Sequence, residues 1–185
     1  HHTSAIEARA VVDEVRALGR EAVALQADLG DAEAVRGLAA AALAHAGAVD
    51  ILVNSASNYL RVPFDALDEA VWDRSLDVNL KAPMHLARAF LPGMISRKRG
   101  HLIFIGSISG LAAFPNASAY GASKAGLSLF CDNLRCDLLG TSVRVTEIAP
   151  GRVQTDLYRT AIAGHRAQAQ LYDGYRAIQP EHIAQ

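Results

Sequence analysis

Gly100-His-Leu-Ile-Phe-Ile-Gly-Ser-Ile108, then a long helical stretch from Ser118 to Leu139, then Ser142-Val-Arg-Val-Thr-Glu-Ile-Ala149, decide the fold of this chain. Two short apolar runs flank one amphipathic helix, which is the pattern of a right-handed βαβ unit with parallel strands. The same alternation extends towards the N-terminus. Asp50-Ile-Leu-Val-Asn-Ser-Ala56 is a strand dense in apolar residues, as expected where both faces of a sheet are covered. Trp72–Leu91 reads as a helix with an irregularity at Pro83, and 31–46 as a helix with Asp31 as its N-cap. Residues 21–29 (EAVALQADL) read as a further strand. Residues 4–18 read as an amphipathic helix with Val11, Val15 and Leu18 on one stripe, ended by Gly19. Pro180 is placed as the first residue of a last helix. The expectation is one α/β domain over residues 1–185, a doubly wound parallel sheet, without repeat, low-complexity tract or linker.

The chain has 185 residues, about half of them hydrophobic, and a net charge of −1. That balance gives no electrostatic reason to expect nucleic acid. No apolar stretch approaches the ~18 residues that span a bilayer. Cys131 and Cys136 are five apart in a helix, hence on different faces, and are expected as reduced thiols in a cytoplasmic protein. His45, His85, His101, His165 and His182 are scattered without metal-ligand spacing, so no metal is expected. Gly106-Ser-Ile-Ser-Gly110 is not a hydrolase nucleophile elbow, because Ile108 holds the central place.

In parallel sheets, ligands bind beyond the carboxyl ends of the strands. Asp28, Asn54, Ser107 and Pro150-Gly151 all fall at or just after such ends. Ser107 closes one strand, and Tyr120 and Lys124 follow one helical turn apart in Ala119-Tyr-Gly-Ala-Ser-Lys124. A phenol, an ammonium and a hydroxyl brought together form a proton-transfer site. Tyr120 would be the acid/base, Lys124 would lower its pKa, and Ser107 would hydrogen-bond the reacting oxygen.

These residues resemble the short-chain dehydrogenase/reductase family. The resemblance rests on Ala27-Asp-Leu29, Leu52-Val-Asn-Ser-Ala-Ser57, Asp77-Val-Asn-Leu80, Ile105-Gly-Ser-Ile-Ser-Gly110, Tyr120-Gly-Ala-Ser-Lys124 and Pro150-Gly-Arg-Val-Gln-Thr155. It implies a Rossmann-type sheet and a catalytic tetrad of Asn79, Ser107, Tyr120 and Lys124. Lys124 would also bond the nicotinamide ribose, and Asn79 would hold a water of the proton relay. Asp28 and Leu29 are expected at the adenine. Asn54, Ser55 and Ala56 are expected along the cofactor, with Pro150, Gly151, Val153 and Thr155 at the carboxamide. Ser55 and Ser57 depart from the family's Asn-Asn-Ala-Gly, and Ser57 is expected to crowd or hydrogen-bond the cofactor. The family's first strand with its glycine-rich turn, and its last strand, are not found in the sequence, so the chain is expected to begin after the second strand. His1-His2-Thr3-Ser4 offers no carboxylate to a ribose 2′-hydroxyl, which favours NADP over NAD.

The expected activity is that of a carbonyl reductase or alcohol dehydrogenase acting on a small ketone, β-keto or hydroxy-acid derivative. Residues 155–179 would cover the substrate, with Leu157, Tyr158, Ile162 and Tyr175 as lining and 109–117 as the other wall. Competing readings are a non-catalytic NADP-binding sensor on the same fold and a pteridine- or quinone-type reductase. A homodimer or homotetramer would form through Trp72–Leu91 and Ser118–Leu139, with Ala122, Leu129 and Leu134 as apolar surface.

Overall fold

The computed structural model describes residues 4–155, 174 and 176–185. Among these, the centre is a parallel sheet of β1 (Ile51–Asn54), β2 (Gly100–Ile105) and β3 (Val143–Ile148), in that spatial order. The register aligns Ile51 with His101 and Gly100 with Val143, so Asn54, Ile105 and Ile148 finish at the same edge. The α-helices among the described residues are α1 (Ala5–Ala17), α2 (Ala32–Ala46), α3 (Glu69–Leu76), α4 (Ala82–Ser96), α5 (Ser118–Asp137) and α6 (Pro180–Ala184).

The core lies between the sheet and the α2, α4 and α5 layer. Leu102 and Phe104 point into it from β2 and are fully buried, meeting Met94 and Phe90 from α4 and Leu127 and Cys131 from α5. Alternate β2 residues therefore face this layer, as strand geometry requires. Gly100 has no side chain because a Cβ there would lie 2.6 Å from that of Met94. Cys131 is buried and Cys136 exposed, both as free thiols. No helix among the described residues is long and apolar enough to cross a membrane.

Several local expectations hold. Asp31 caps α2, its carboxylate accepting from the Glu33 N–H at 2.8 Å. Gly19 follows α1 with φ of 71°, and Pro180 opens α6. Leu134 belongs to the core, whereas Leu129 is exposed.

Three differ. Residues 21–29 form no strand, since they join no ladder among the described residues; apolar content alone does not make a strand without a partner. The apolar stripe of α1 is not packed: the helix buries no residue, and Val11 and Leu18 face solvent. The single helix expected over Trp72–Leu91 runs from Glu69 to Ser96 as α3 and α4, joined by a π-helical turn at Asp77–Lys81. That turn ends two residues before Pro83, so the irregularity falls where Pro83 has no N–H to give to the preceding turn of this continuous helical run.

Candidate active site

Ser107 follows β2 in extended conformation, and its Oγ accepts from the Ser109 N–H at 3.1 Å. The next residues, Ile108–Gly110, form a 3-10 turn laid directly against α5. Gly110 makes this approach possible: a Cβ there would come within 2.8 Å of the Lys124 carbonyl carbon and oxygen. The turn is also tied to the loop after β3 through Ile108 N–H to Pro150 C=O at 3.1 Å. Two backbone contacts thus fix Ser107 relative to Tyr120 on one side and Pro150-Gly151 on the other.

Tyr120 is 5 % exposed and shares the cleft lining with the hydroxyl-bearing Ser107 and Ser57. Burial raises its pKa above 10.0, and the two hydroxyls oppose that rise. Lys124 is 2 % exposed. Its Nζ donates to the Ile105 carbonyl at 2.8 Å and lies 5.8 Å from the Tyr120 ring centroid. Burial depresses its pKa from 10.5 to about 8, with Glu147 acting in the opposite sense. Its ammonium is engaged with Ile105, and the influences on Tyr120 are burial and the two hydroxyls.

Asn79 occupies the π-helical turn and is 1 % exposed. Its Oδ1 accepts from the Asn58 N–H at 2.8 Å and Ser57 Oγ at 3.1 Å. Its Nδ2 donates to the Asn58 carbonyl and to Ser123 Oγ, both at 3.0 Å. Both lone pairs and both protons of the amide are used, so a relay water on Asn79 finds no free side-chain position. Ser123 Oγ in turn donates to the Tyr120 carbonyl at 2.7 Å. The Asn79 amide closes a ring of two hydrogen bonds with the Asn58 backbone, and the network runs on from Ser57 through Asn79 and Ser123 to the Tyr120 carbonyl. It joins the loop after β1, the π-helical turn and α5. A π-helical turn at such a place is a common functional device.

A cleft of about 920 Å³ opens beside Tyr120. Ser107, Tyr120 and Lys124 line it, as do Ser55, Pro150, Gly151, Val153 and Thr155 among the residues expected from the sequence. One wall is apolar, built by Val53, Ile103, Ile105 and Ile148. Asn79 lies behind it, reaching it through Ser57. Asp28, Leu29, Asn54 and Ala56 are not in the lining. Asp28 accepts from the Gly30 N–H at 2.9 Å and pairs with Arg74 at 2.8 Å. Asn54 is buried, with no hydrogen-bond partner for Nδ2 among the described residues. Thr3, Leu157, Tyr158, Ile162 and Tyr175 lie outside the described residues.

Tyr59, Arg61, Phe114, Arg152 and Ile183 also line the cleft and were not singled out from the sequence. Tyr59 meets Tyr120 edge-on, with centroids 4.6 Å apart. Arg61 donates to the Pro115 carbonyl at 3.0 Å, joining the loops on either side of the cleft mouth. The loop after β3 is held by Ile178, which donates to the Arg152 carbonyl at 2.9 Å and accepts from the Gln154 N–H at 2.8 Å. This seats α6 at the cleft. Arg152 lies inside the Pro150–Thr155 segment and Phe114 inside the expected wall 109–117, whereas no motif marks Tyr59, Arg61 or Ile183. Ser57 was visible as a departure from the family pattern, and its hydroxyl donates to Asn79 Oδ1.

The family model for short chain dehydrogenases matches residues 2–165. An uncharacterised short-chain type dehydrogenase/reductase of Sinorhizobium fredii, y4eK, is 49% identical over 138 residues, covering 74% of this chain and 55% of that protein. The NADP-dependent 3-hydroxy acid dehydrogenase YdfG of Salmonella typhi is 36% identical over 171 residues, covering 91% and 69%. The closed form of a serine dehydrogenase complexed with NADP+ superposes with a TM-score of 0.82 at 35% identity, covering 93% and 71%. The chain thus spans about half the length of the first of these relatives and about two thirds of the second.

Proposed function

The chain belongs to the short-chain dehydrogenase family, and from that premise we propose that it is an NAD(P)-dependent oxidoreductase moving a hydride between NADP(H) and a carbonyl or secondary alcohol. The observation that carries this reading is the buried Tyr120 on the cleft wall, sharing that lining with Ser107 and with Lys124 one helical turn along. The residues present fit a nicotinamide nucleotide. The cleft lies past the carboxyl ends of parallel strands, has an apolar wall, and carries a cation at Lys124 and the Pro150-Gly151 turn opposite. NADP is preferred and NAD is the alternative. YdfG is NADP-dependent by name, and the serine dehydrogenase structure holds NADP+.

When bound, the nicotinamide supplies the hydride chemistry. The protein's share is the proton. Tyr120 donates its phenolic proton to the oxygen of a carbonyl being reduced, and takes one from an alcohol being oxidised. A phenol held protonated by burial suits the donor role at neutral pH. Ser107 hydrogen-bonds the same substrate oxygen, and Lys124 adds positive charge on the side where the phenolate forms. Asp28, Leu29, Asn54, Ser55, Ala56, Val153 and Thr155 are assigned as cofactor contacts, as the resemblance implies.

A small substrate bearing a carboxylate is favoured within the class. Arg61 and Arg152 both line the cleft that holds Tyr120, and the names of YdfG and the serine dehydrogenase specify acids as substrates. The protein is further proposed as a cytoplasmic homodimer or homotetramer using α3–α4 and α5, where Trp72 and Leu129 are exposed.

The test is oxidation of NADPH and NADH by the full-length protein against a panel of keto acids and neutral ketones, with Tyr120→Phe alongside. Turnover that falls by about 10²–10⁴-fold in the variant supports the reading. Tight NADPH binding without turnover, and no difference between variant and parent, would favour the sensor.

A further inference from the structure

Arg61 lines the cleft, and its charge is unmatched. Among the described residues no carboxylate pairs with it, and no Asp or Glu side chain lines the cleft. An unpaired arginine on the open surface is compensated by water. Arg61 is only partly exposed, and its Nε is closed off from solvent with no acceptor among the described residues. The side chain is nevertheless held in place. Its Nη2 donates to the Pro115 carbonyl at 3.0 Å, and the next N–H, of Val62, donates to the Asn116 carbonyl at 2.9 Å. Asn116 has φ of 60°, a left-handed conformation that Asn tolerates, and two successive carbonyls there reach one loop. One carbonyl bond leaves most of the five guanidinium protons and the whole charge unused. A fixed, partly desolvated cation of this kind is costly until an anion meets it.

We propose that Arg61 is the specificity-determining residue of the cleft, its guanidinium binding the substrate carboxylate as a two-point fork while the Pro115 carbonyl keeps it aimed. This rests on the oxidoreductase reading given above and selects one of the two arginines named there. Tyr59, two residues earlier in the same loop, meets Tyr120 edge-on with centroids 4.6 Å apart. Two residues of chain span at most ~7 Å, so the loop carries the cation past the proton-transfer group. A small acid, with its carboxylate a few bonds from the reacting carbon, suits that spacing. Arg152 instead follows Pro150-Gly151 directly, on the side assigned to the nicotinamide carboxamide. A planar carboxylate matches the planar guanidinium with two parallel N–H···O bonds, which an ammonium or a hydroxyl does not reproduce. A nucleotide phosphate is the other anion such a cation could hold, and the two are separable by experiment.

NADPH oxidation by the full-length protein is followed with 3-oxobutanoate and with its methyl ester, which keeps the ketone and loses the charge. Arg61→Met is expected to lower kcat/KM for the acid by about 10²-fold, mainly through KM, and to leave the ester within about twofold. The acid-to-ester ratio then falls about 10²-fold. Arg61→Lys keeps the charge without the fork and is expected to lie between parent and Arg61→Met. A role confined to holding the Pro115 loop would slow both compounds alike, and an unchanged ratio overturns the proposal. Weaker NADPH affinity at an unchanged ratio would give Arg61 to a nucleotide phosphate and overturn it as well. Calorimetric titration of 3-oxobutanoate into protein with NADP+, a pair that cannot react, reads the anchor without turnover. Binding about 10²-fold weaker in Arg61→Met supports the anchor even where neither compound is reduced, and in that case only the oxidoreductase reading falls. Binding equal in parent and variant, or absent from both, overturns the anchor.

Discussion

Replacing Lys124 by methionine is expected to abolish turnover and to stabilise the protein at neutral pH. Lys124 is 2 % exposed, and burial depresses its pKa from 10.5 to about 8. Holding its proton at pH 7 therefore costs the folded state roughly 3 kcal/mol relative to an ordinary lysine. The sign follows from proton counting. Between about pH 8 and 10.5 the unfolded lysine keeps its proton while the folded one has lost it, so stability rises with pH across that window. Below pH 8 both are protonated, and the cost is present in full. Methionine fills similar volume without charge but loses the Nζ bond to the Ile105 carbonyl, worth about 1 kcal/mol. The net gain at pH 7 is about 2 kcal/mol, or roughly 4–8 °C in Tm for a chain of this size. It should shrink as the pH rises and vanish before about pH 10.5. The sequence has a single tryptophan, Trp72, whose fluorescence reports urea unfolding at both ends of the pH range. A variant less stable than the parent at pH 7, or a difference that does not change with pH, would refute the reasoning.

Two substitutions elsewhere should act in the ordinary direction. Asn79→Ala removes the acceptor of the Asn58 N–H and the amide donor to the Asn58 carbonyl, and it leaves the Ser123 hydroxyl with only its own bond to the Tyr120 carbonyl. A loss of about 3 kcal/mol in urea unfolding is expected, and an unchanged midpoint would show that the ring is not holding the loop. Gly110→Ala puts a Cβ 2.8 Å from the Lys124 carbonyl and 2.9 Å from the Ala125 nitrogen, backbone atoms that cannot swing aside. The 3-10 turn must then retreat from α5 and carry Ser107 with it. A kcat lowered by about 10²-fold at nearly constant nucleotide affinity is the expected kinetic result.

The parallel sheet was legible because its strands are runs of apolar residues separated by helices of the right length. Leu102 and Phe104 are buried where that pattern puts them. The triad of Ser107, Tyr120 and Lys124 was legible because a strand end and one helical turn fix their relation within a single βαβ unit. Residues 21–29 show the limit of composition. Six of their nine residues are apolar, yet strand formation needs a neighbour that supplies a ladder, and that is a property of the assembly. The π-helical turn at Asp77–Lys81 was not legible either, since one additional residue in a helical turn leaves no periodic trace over so short a span. That extra residue is what brings the Asn79 amide to Ser57, Asn58 and Ser123. Tyr59 and Arg61 enter the cleft from a loop whose path follows its pairing with 115–116, seen in the Val62 N–H bond to the Asn116 carbonyl. Sequence periodicity carries no information about such a path.

The site divides its polar atoms into two energetic classes, and this division sets the sign of each prediction. The neutral groups form a ring in which the amide of Asn79 saturates every donor and acceptor it has. Breaking the ring orphans its partners, so it contributes to stability. The buried cation of the site is treated differently. Lys124 has a single carbonyl bond among the contacts seen here and an incomplete offset from Glu147, and its pKa remains depressed. A proton-transfer site needs its scaffold rigid and its charge available, and a fully neutralised ammonium would have little field left for a forming phenolate. On this argument the ring gives precision while the strained cation gives reactivity. The fold carries the cost of the second in the core that surrounds Leu127 and Cys131 on the same helix.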